Sequence, residues 1–527
     1  MGLTMRLYNS LTKQKAEFVP LEPGTVGVYV CGPTVYDDCH VGHARCYVAF
    51  DVLIRHLRQK GYNVNYVRNI TDIDDKIITR AKELNEDAIA LSARYTIEFE
   101  RDMASLGNTV PQSSPKVSTH MPEIIEMIGQ LINSGVAYQS NNDVYFAVDK
   151  HPTYGRLSGR KLSDMQAGAR VATRDAKRSP FDFALWKGTE KPNETKGPTW
   201  PSPWGDGRPG WHIECSAMSG KYLGQRFDIH AGGMDLLFPH HENEMAQSTA
   251  CYGQGSFAQI WMHNGFITVK QQAGSEAEKM SKSLGNFFTI KDLCHRYHPE
   301  ALRLFLLQTH YRSPIQLVTA LDAKGSNDKD EIAFPQVANA EQRLSDIYRL
   351  LLKAGISGKR QDLGNSEISD VAQIDIDDGG ASCRDFPAAF EQALDDDINT
   401  AAAIASFSDA ITELNQLCAL CHTAQPNLIS KSDKKQRTKW IAHQLRLLGG
   451  RLGLLQADPT TFLLAVRDRM AKNALIDIDH VNDLLMQRES ARAAKDYATA
   501  DKIRDQLHAD NIMLMDGPNG TDWIFGT

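Results

Sequence analysis

The sequence predicts an α/β protein: a parallel-sheet domain split by an insertion, then an α-helical bundle, then a small α+β C-terminal unit. Three observations predict this. An apolar run at 26–30 breaks at Cys31-Gly32-Pro33 and leads into a helical pattern. A second strand-then-helix alternation resumes near Trp211, after a tract of different character. Beyond His298 the 3.6-residue period dominates until a short hairpin-like end.

Over 42–60 the apolar residues Ala44, Val48, Val52, Leu53 and Leu57 form one stripe, and Gly61 stops it. Residues 63–70 alternate as a strand. Thr71 and Asp72 are expected to cap a second helix with Ile73, Ile77, Ala81 and Leu84 on one face. Strand, helix, strand, helix is a βαβ unit, hence a parallel sheet with a right-handed crossover. The insertion, 111–204, holds a helix near 121–135 and a strand at 143–148. A basic tract with Arg156, Arg160, Lys161, Arg170, Arg174, Lys177 and Arg178 follows, and then a Pro/Gly/Trp-rich loop.

In the second block, 227–231 reads as a strand, 239–251 as a helix and 259–263 as a strand. A polar loop, 271–278, precedes Lys279-Met280-Ser281-Lys282-Ser283. Helices are expected at 300–308, 344–353, 386–394, 400–417 and 443–455. The Gly/Ser/acidic tract 355–385 reads as a flexible surface insertion and the basic run 431–439 as a solvated loop. One charged helix is expected at 482–510, then a hairpin at 513–525. The boundaries are 1–110 and 205–265 for the two halves of the sheet domain, with 111–204 between them. A lysine-loop region spans 266–330, the bundle 331–460, and the last unit 461–527.

With 527 residues the chain is too long for one core, and roughly three or four domains are expected. A composition of 42% hydrophobic and 23% charged residues is that of an ordinary globular protein. The net charge of -7 argues against a surface coated in nucleic acid but leaves room for a local basic face. The N-terminus has no apolar h-region, Arg6 stands where a myristoylation site needs Ser or Thr, and no stretch is long enough to span a bilayer. Nine irregularly spaced cysteines read as reduced thiols, so a cytoplasmic protein is expected.

Two features compete for a metal. His240 and Glu244 are four residues apart, so they share a helical face and can chelate together; a solvated acidic cap is the alternative. Met245 stands where a zinc-protease HExxH motif needs its second His. Cys31 and Cys215 are candidate thiolates, but their spacing resembles no CxxC pair. A site of Cys31, Cys215, His240 and Glu244 needs the two sheet halves folded together, and that donor set favours Zn²⁺. His40, Gly42 and His43 open a helix, where N–H groups and the dipole favour an anion. Lys279 and Lys282 supply mobile charges suited to a polyphosphate, although short Lys/Ser loops are common.

His40-Val41-Gly42-His43 and 279–283 resemble the HIGH and KMSKS signatures of class I aminoacyl-tRNA synthetases, with a branched-apolar swap at Val41. Residues 31–37 (CGPTVYD), 68–75 (RNITDIDD), 210–215 (GWHIEC) and 239–244 (PHHENE) resemble the cysteinyl-tRNA synthetases. The resemblance runs from about residue 7 to 319 and resumes in the helical and tail regions; tract 355–385 looks like an addition to the compact bacterial form. It implies a Rossmann-like catalytic domain and one Zn²⁺ per chain held by Cys31, Cys215, His240 and Glu244. Thr71 and Trp211 match positions that line the amino-acid pocket. His40, Gly42, His43, Lys279 and Lys282 match those that handle ATP, with Mg²⁺. Tyr497, Asp501 and Asp516 fall where the family contacts the anticodon, Tyr497 where Trp is common.

The implied reaction joins L-cysteine to tRNA(Cys) through a cysteinyl-adenylate, with the metal selecting the thiol, and a monomer is expected. Four protein ligands leave open whether the substrate sulfur is a fifth ligand or displaces one. Two other readings are a cysteine–amino-sugar ligase of mycothiol synthesis, which lacks the long C-terminal region, and a non-catalytic zinc- or RNA-binding paralogue, which would lose HIGH or KMSKS residues.

Overall fold

The computed structural model describes residues 4–160, 177–189, 197–271, 278–279, 286–321, 332–360, 385–419, 431–517 and 520–525. A hairpin, β1 (Arg6–Asn9) and β2 (Gln14–Glu17), precedes β3 (Thr25–Val30). Val26, Val28, Tyr29 and Val30 of β3 are all buried, as a strand covered on both faces requires. α1 (Val41–Gln59) then crosses over to β4 (Asn63–Arg68), which runs parallel to β3. α2 (Asp75–Leu84) and α3 (Ala88–Ser105) follow. Asp74, not Thr71 or Asp72, caps α2: its carboxylate accepts from Lys76 N at 2.8 Å. Thr71 is instead bridged to Thr34.

The insertion has its own core. α4 (Met121–Asn133) packs on an antiparallel sheet, β5 (Ala137–Ser140), β6 (Asp143–Phe146), β7 (Phe183–Gly188) and β8 (Gly207–Pro209), in that order. Trp186, Ile124, Ile128 and Leu131 are buried within it. Lys161, Arg170 and Arg174 of the basic tract lie outside the described residues.

The helix Trp211–Leu223 returns the chain to the first sheet through β9 (Arg226–Gly233), the helix Glu242–Tyr252 and β10 (Phe257–Asn264). The sheet order is β10-β9-β3-β4, all parallel, so residues nearly 200 apart in sequence pair directly, as Tyr29 with His230. A second sheet, β11 (Ile267–Gln271), β12 (Glu278–Lys279), β13 (Ile315–Leu321) and β14 (Ile332–Ala333), has the order β12-β11-β13-β14.

The remainder is helical apart from the terminal hairpin β15 (Ile512–Gly517) and β16 (Gly520–Phe525). Three expectations change here. The basic run 431–439 begins the helix Lys431–Arg451 and is not a loop. The single helix at 482–510 is two, Ile478–Ala493 and Tyr497–Ala509, broken where Lys495 adopts φ 62°. Of the tract 355–385, Ile356 is buried and the amides of Gly358 and Arg360 bond to Asp458 and to Gln456 O. That end is therefore ordered, and 361–384 lie outside the described residues. Among the described residues no helix is long and apolar enough to cross a membrane.

Candidate active site and metal centre

The carboxyl ends of parallel strands are where open α/β sheets bind ligands, because helix N-termini and loop side chains converge there. Cys31 is the first residue beyond β3, and its amide bonds to Ala231 O of β9 at 3.0 Å. The neighbouring Gly32 is obligatory: a Cβ there would lie 1.5 Å from Asn69 O, while its amide donates to Asn69 Oδ1 at 2.7 Å. This close approach clamps the ends of β3 and β4 together, and Thr71 N donates to Pro33 O at 3.1 Å.

Around Cys31 the structure gathers Cys215, His240 and Glu244, all buried, with their ligand atoms within 4.8 Å of one another. Cys31 Sγ lies 3.9 Å from Cys215 Sγ and 3.6 Å from Glu244 Oε1. Two sulfurs on a tetrahedral Zn²⁺ stand about 3.8 Å apart, so the sulfur spacing fits that ion. His240 Nε2 lies 2.9 Å from Glu244 Oε1, while its Nδ1 meets His212 Nδ1 at 3.0 Å. His212 thereby fixes the ring that presents Nε2 to the cluster.

Without a metal, protonated His240 balances the buried anions, a role that a bound cation would take over. Burial, then Cys215 and Glu244, pushes the Cys31 thiol well up. The Cys31 hydrogen bond, against burial, brings Cys215 down to about 6. Burial alone would lower His240, but Glu244 and Cys215 raise it to about 10. A thiolate and a carboxylate packed this deeply are stable only against positive charge. The donor set therefore fits a soft divalent ion such as Zn²⁺.

A second, overlapping set was not anticipated: Cys31, His230, His241 and Glu244. His241 Nε2 is 3.3 Å from Cys31 Sγ, and His230 Nε2 is 3.1 Å from Glu244 Oε2. His241 Nδ1 continues to His263 Nε2 at 2.8 Å, and His263 Nδ1 to Ser10 Oγ at 2.8 Å. His230 sits in an apolar strand pattern and reads as core; only its pairing opposite Tyr29 discloses it. His241 has no chelating partner four residues on, where Met245 stands, yet the wide turn Leu237–His241 delivers it from outside a regular helix.

His40 and His43 form the N-terminal cap of α1. His40 Nδ1 accepts from Gly42 N at 3.0 Å, and His43 Nδ1 accepts from His40 N at 3.2 Å. Both Nδ1 atoms being acceptors, each neutral ring carries its proton on Nε2. Burial lowers His40 to about 4 and, with His40 and Lys76, depresses His43 well below its ordinary value. Two neutral imidazoles, stacked with centroids 4.0 Å apart, thus offer N–H donors at a helix N-terminus.

The stretch following the lysine loop is bound to this cap. Val41 N donates to Phe288 O at 3.1 Å and Ile290 N to Cys39 O at 2.8 Å. Lys279 lies in β12, paired with Thr268; Lys282 falls outside the described residues. Trp211 stacks on His240, centroids 4.1 Å apart, and Thr71 Oγ1 donates to buried Glu214 at 3.1 Å. Trp211 therefore contacts the Cys31–Cys215–His240–Glu244 cluster, and Thr71 contacts the residue preceding Cys215. In the terminal unit Tyr497 is 63% exposed, Asp501 pairs with Arg504 at 2.9 Å, and Asp516 lies opposite Thr521 in the hairpin.

A parallel sheet with an imidazole-capped helix at a strand's carboxyl end, and residues 286–290 bonded to that cap, is the arrangement of a class I aminoacyl-tRNA synthetase. The model for "tRNA synthetases class I (C) catalytic domain" matches residues 17–324, the DALR domain 389–456, and the "Cysteinyl-tRNA ligase anticodon binding domain" 479–523. The "Cysteine--tRNA ligase" of Anaeromyxobacter dehalogenans is 48% identical over 529 residues, covering 99% of both chains. That of Geobacter metallireducens is 45% identical over 527 residues, again with 99% of each covered. The chain belongs to the cysteine–tRNA ligase family. In fold alone it resembles Mycobacterium tuberculosis methionyl-tRNA synthetase in complex with methionyl-adenylate, with a TM-score of 0.54 at 14% identity, covering 81% of this chain and 91% of that one.

Proposed function

We propose that this ATP-dependent ligase attaches L-cysteine to tRNA(Cys) through a cysteinyl-adenylate, selecting its amino acid at the Cys31, Cys215, His240 and Glu244 centre. The observation that carries the reading is the position of Cys31 and His40, nine residues apart on one turn. One turn thereby sets the amino-acid pocket beside the nucleotide cap. Full-length likeness to cysteine–tRNA ligases, with the anticodon-binding model matched at 479–523, favours it over the amino-sugar ligase and the non-catalytic paralogue.

Cys31, Cys215, His240 and Glu244 would hold zinc, which would supply a soft Lewis acid favouring a thiol over serine's harder hydroxyl. An apolar pocket alone separates near-isosteres by only about 10–200-fold. Thr71 and Trp211 wall the amino acid and hold its carboxylate toward ATP. His40 and His43 donate Nε2–H to the phosphates as charge builds, and Lys279 and Lys282 follow the departing pyrophosphate. The carboxylate attacks the α-phosphorus, and the 2′-OH of the terminal adenosine then attacks the adenylate. No side-chain nucleophile is needed, so positioning and electrostatics supply the rate. Tyr497, Asp501 and Asp516 read the anticodon. A monomeric, cytoplasmic enzyme using Mg²⁺-bound ATP belongs to the same reading.

Cysteine-dependent ATP–pyrophosphate exchange followed by charging of tRNA(Cys) tests it. Exchange without charging would sink it in favour of the amino-sugar ligase, and loss of both in favour of the paralogue.

A further inference from the structure

Lys76 is a cation with no role in the site described so far. It is the second residue of α2, where the dipole disfavours positive charge. Among the described residues it makes no ion pair. Of the adjacent carboxylates, Asp75 is engaged by Lys187 and Arg208 at 2.5 and 2.6 Å, while Asp74 caps α2 and lies near enough to feel the Lys76 charge. The ammonium instead lies over two aromatic rings, 5.7 Å from the Tyr36 centroid and 5.9 Å from that of Trp211. Those rings belong to the segments flanking the reaction: Tyr36 to the turn between Cys31 and His40, Trp211 to the amino-acid pocket. The same ammonium is near enough to His43 to depress its basicity.

Lys76 is exposed beside those ring faces, so its N–H donors are accessible to an anion. It stands between the wall of the amino-acid pocket and one of the two nucleotide imidazoles. We infer that Lys76 is a further catalytic residue, contacting the cysteine carboxylate and the α-phosphate of ATP where the two meet. This rests on the reading given under Proposed function. In the step concerned, a carboxylate oxygen forms a bond to the α-phosphorus. The bond from that phosphorus to the β-phosphate bridging oxygen breaks, and its electron pair leaves on pyrophosphate. No proton is transferred. Lys76 acts as a fixed charge that offsets the repulsion between two anions brought to reacting distance and stabilises the charge of the transition state.

The test compares Lys76→Met and Lys76→Arg in the zinc-loaded, full-length enzyme by cysteine-dependent ATP–pyrophosphate exchange, zinc content and thermal midpoint. For Lys76→Met, kcat is expected to fall by about 100-fold, the range of a lost transition-state donor, while KM for cysteine stays within about threefold and zinc and midpoint are unchanged. Lys76→Arg is expected to recover at least about tenfold of that loss, since it keeps the charge. Exchange by Lys76→Met within about threefold of the parent overturns the inference. So does a rise in cysteine KM with kcat preserved, which would make Lys76 only a wall of the pocket. Absence of exchange in the parent itself would overturn the functional reading instead.

Discussion

Phe287 stands edge-on to His40, with ring centroids 5.1 Å apart and planes at 85°. Phe287 belongs to the stretch after the lysine loop, and His40 caps α1, the helix proposed above to receive the nucleotide. Lys291 adds ion pairs to Asp38 at 2.6 Å and Glu98 at 2.8 Å, tying the same two stretches together. The nucleotide imidazole and the root of the lysine loop are therefore one mechanical unit. An edge-to-face pair contributes about 0.5–1.5 kcal/mol beyond its buried area. Phe287→Ala is expected to slow pyrophosphate exchange by about 2–10-fold through kcat, with zinc content and cysteine KM unchanged. A cysteine KM that rises while kcat holds would refute the coupling.

Cys215→Ser removes one sulfur from the buried cluster and substitutes a hydroxyl that does not ionise at neutral pH. Zinc content, measured by metal analysis after dialysis, is expected to fall. KM for cysteine is expected to rise by more than about tenfold, as even losing a residue that only hydrogen-bonds a ligand costs about 10–100-fold in metal affinity or activity. KM for ATP should change far less, because His40 and His43 belong to a different part of the turn. Full zinc with ordinary cysteine kinetics would show that the cluster does not bind the metal that selects the thiol.

How much of this was readable in the sequence depended on whether a signal was local. Cys31, His40 and His43 lie on one strand–turn–helix stretch, so periodicity and helix-start chemistry disclosed them. His230 did not stand out, because a histidine between Ile229 and Ala231 reads as a buried strand residue until β9 is placed beside β3. The helix Lys431–Arg451 was hidden by its charges. Arg437 is buried and paired with Glu413 of a neighbouring helix, and Arg446 caps the carbonyls of Leu455, Gly358 and Ala457. A helix that buries arginines shows no apolar stripe at its start. The break at Lys495 was equally opaque, since a non-glycine residue at φ 62° follows from the packing around it, not from its own preference.

Asp51 of α1 and Arg303 form a buried ion pair joining the nucleotide-capped helix to the helical region, and Arg303 also bonds to Leu452 O at 2.6 Å. Burial alone would raise Asp51, but Arg303 and Arg55 hold it at about 2 against an ordinary 3.8. A carboxyl depressed on folding contributes stability above its unfolded value and loses it as pH falls through the folded one. The contribution, about 2.5 kcal/mol from the shift, is thus complete above about pH 4 and fades between about pH 4 and 2. Arg303→Met leaves the buried carboxylate only Arg55 and the Thr109 amide, at a cost below the about 3–5 kcal/mol of a fully unpaired buried charge. Its urea midpoint at pH 7 is expected to drop clearly, and the gap to the parent should narrow toward pH 2. A gap independent of pH would assign the loss to packing alone.

Tyr497 begins the helix Tyr497–Ala509 and leaves its ring in solvent, 63% exposed, with Asp501 one turn further along. An exposed aromatic contributes little to folding, so its removal separates recognition from stability. Stacking of a base on an aromatic ring is worth about 1–3 kcal/mol by alanine substitution. Tyr497→Ala is therefore expected to raise KM for tRNA(Cys) by about 5–150-fold in the charging assay. Cysteine-dependent pyrophosphate exchange should be unchanged, because the proposed activation site lies at the carboxyl ends of β3 and β9, away from the terminal unit. Tyr497→Trp should match or exceed the parent, since a larger ring stacks at least as well. Charging by Tyr497→Ala at the parent's KM would place the anticodon contact elsewhere on the terminal unit.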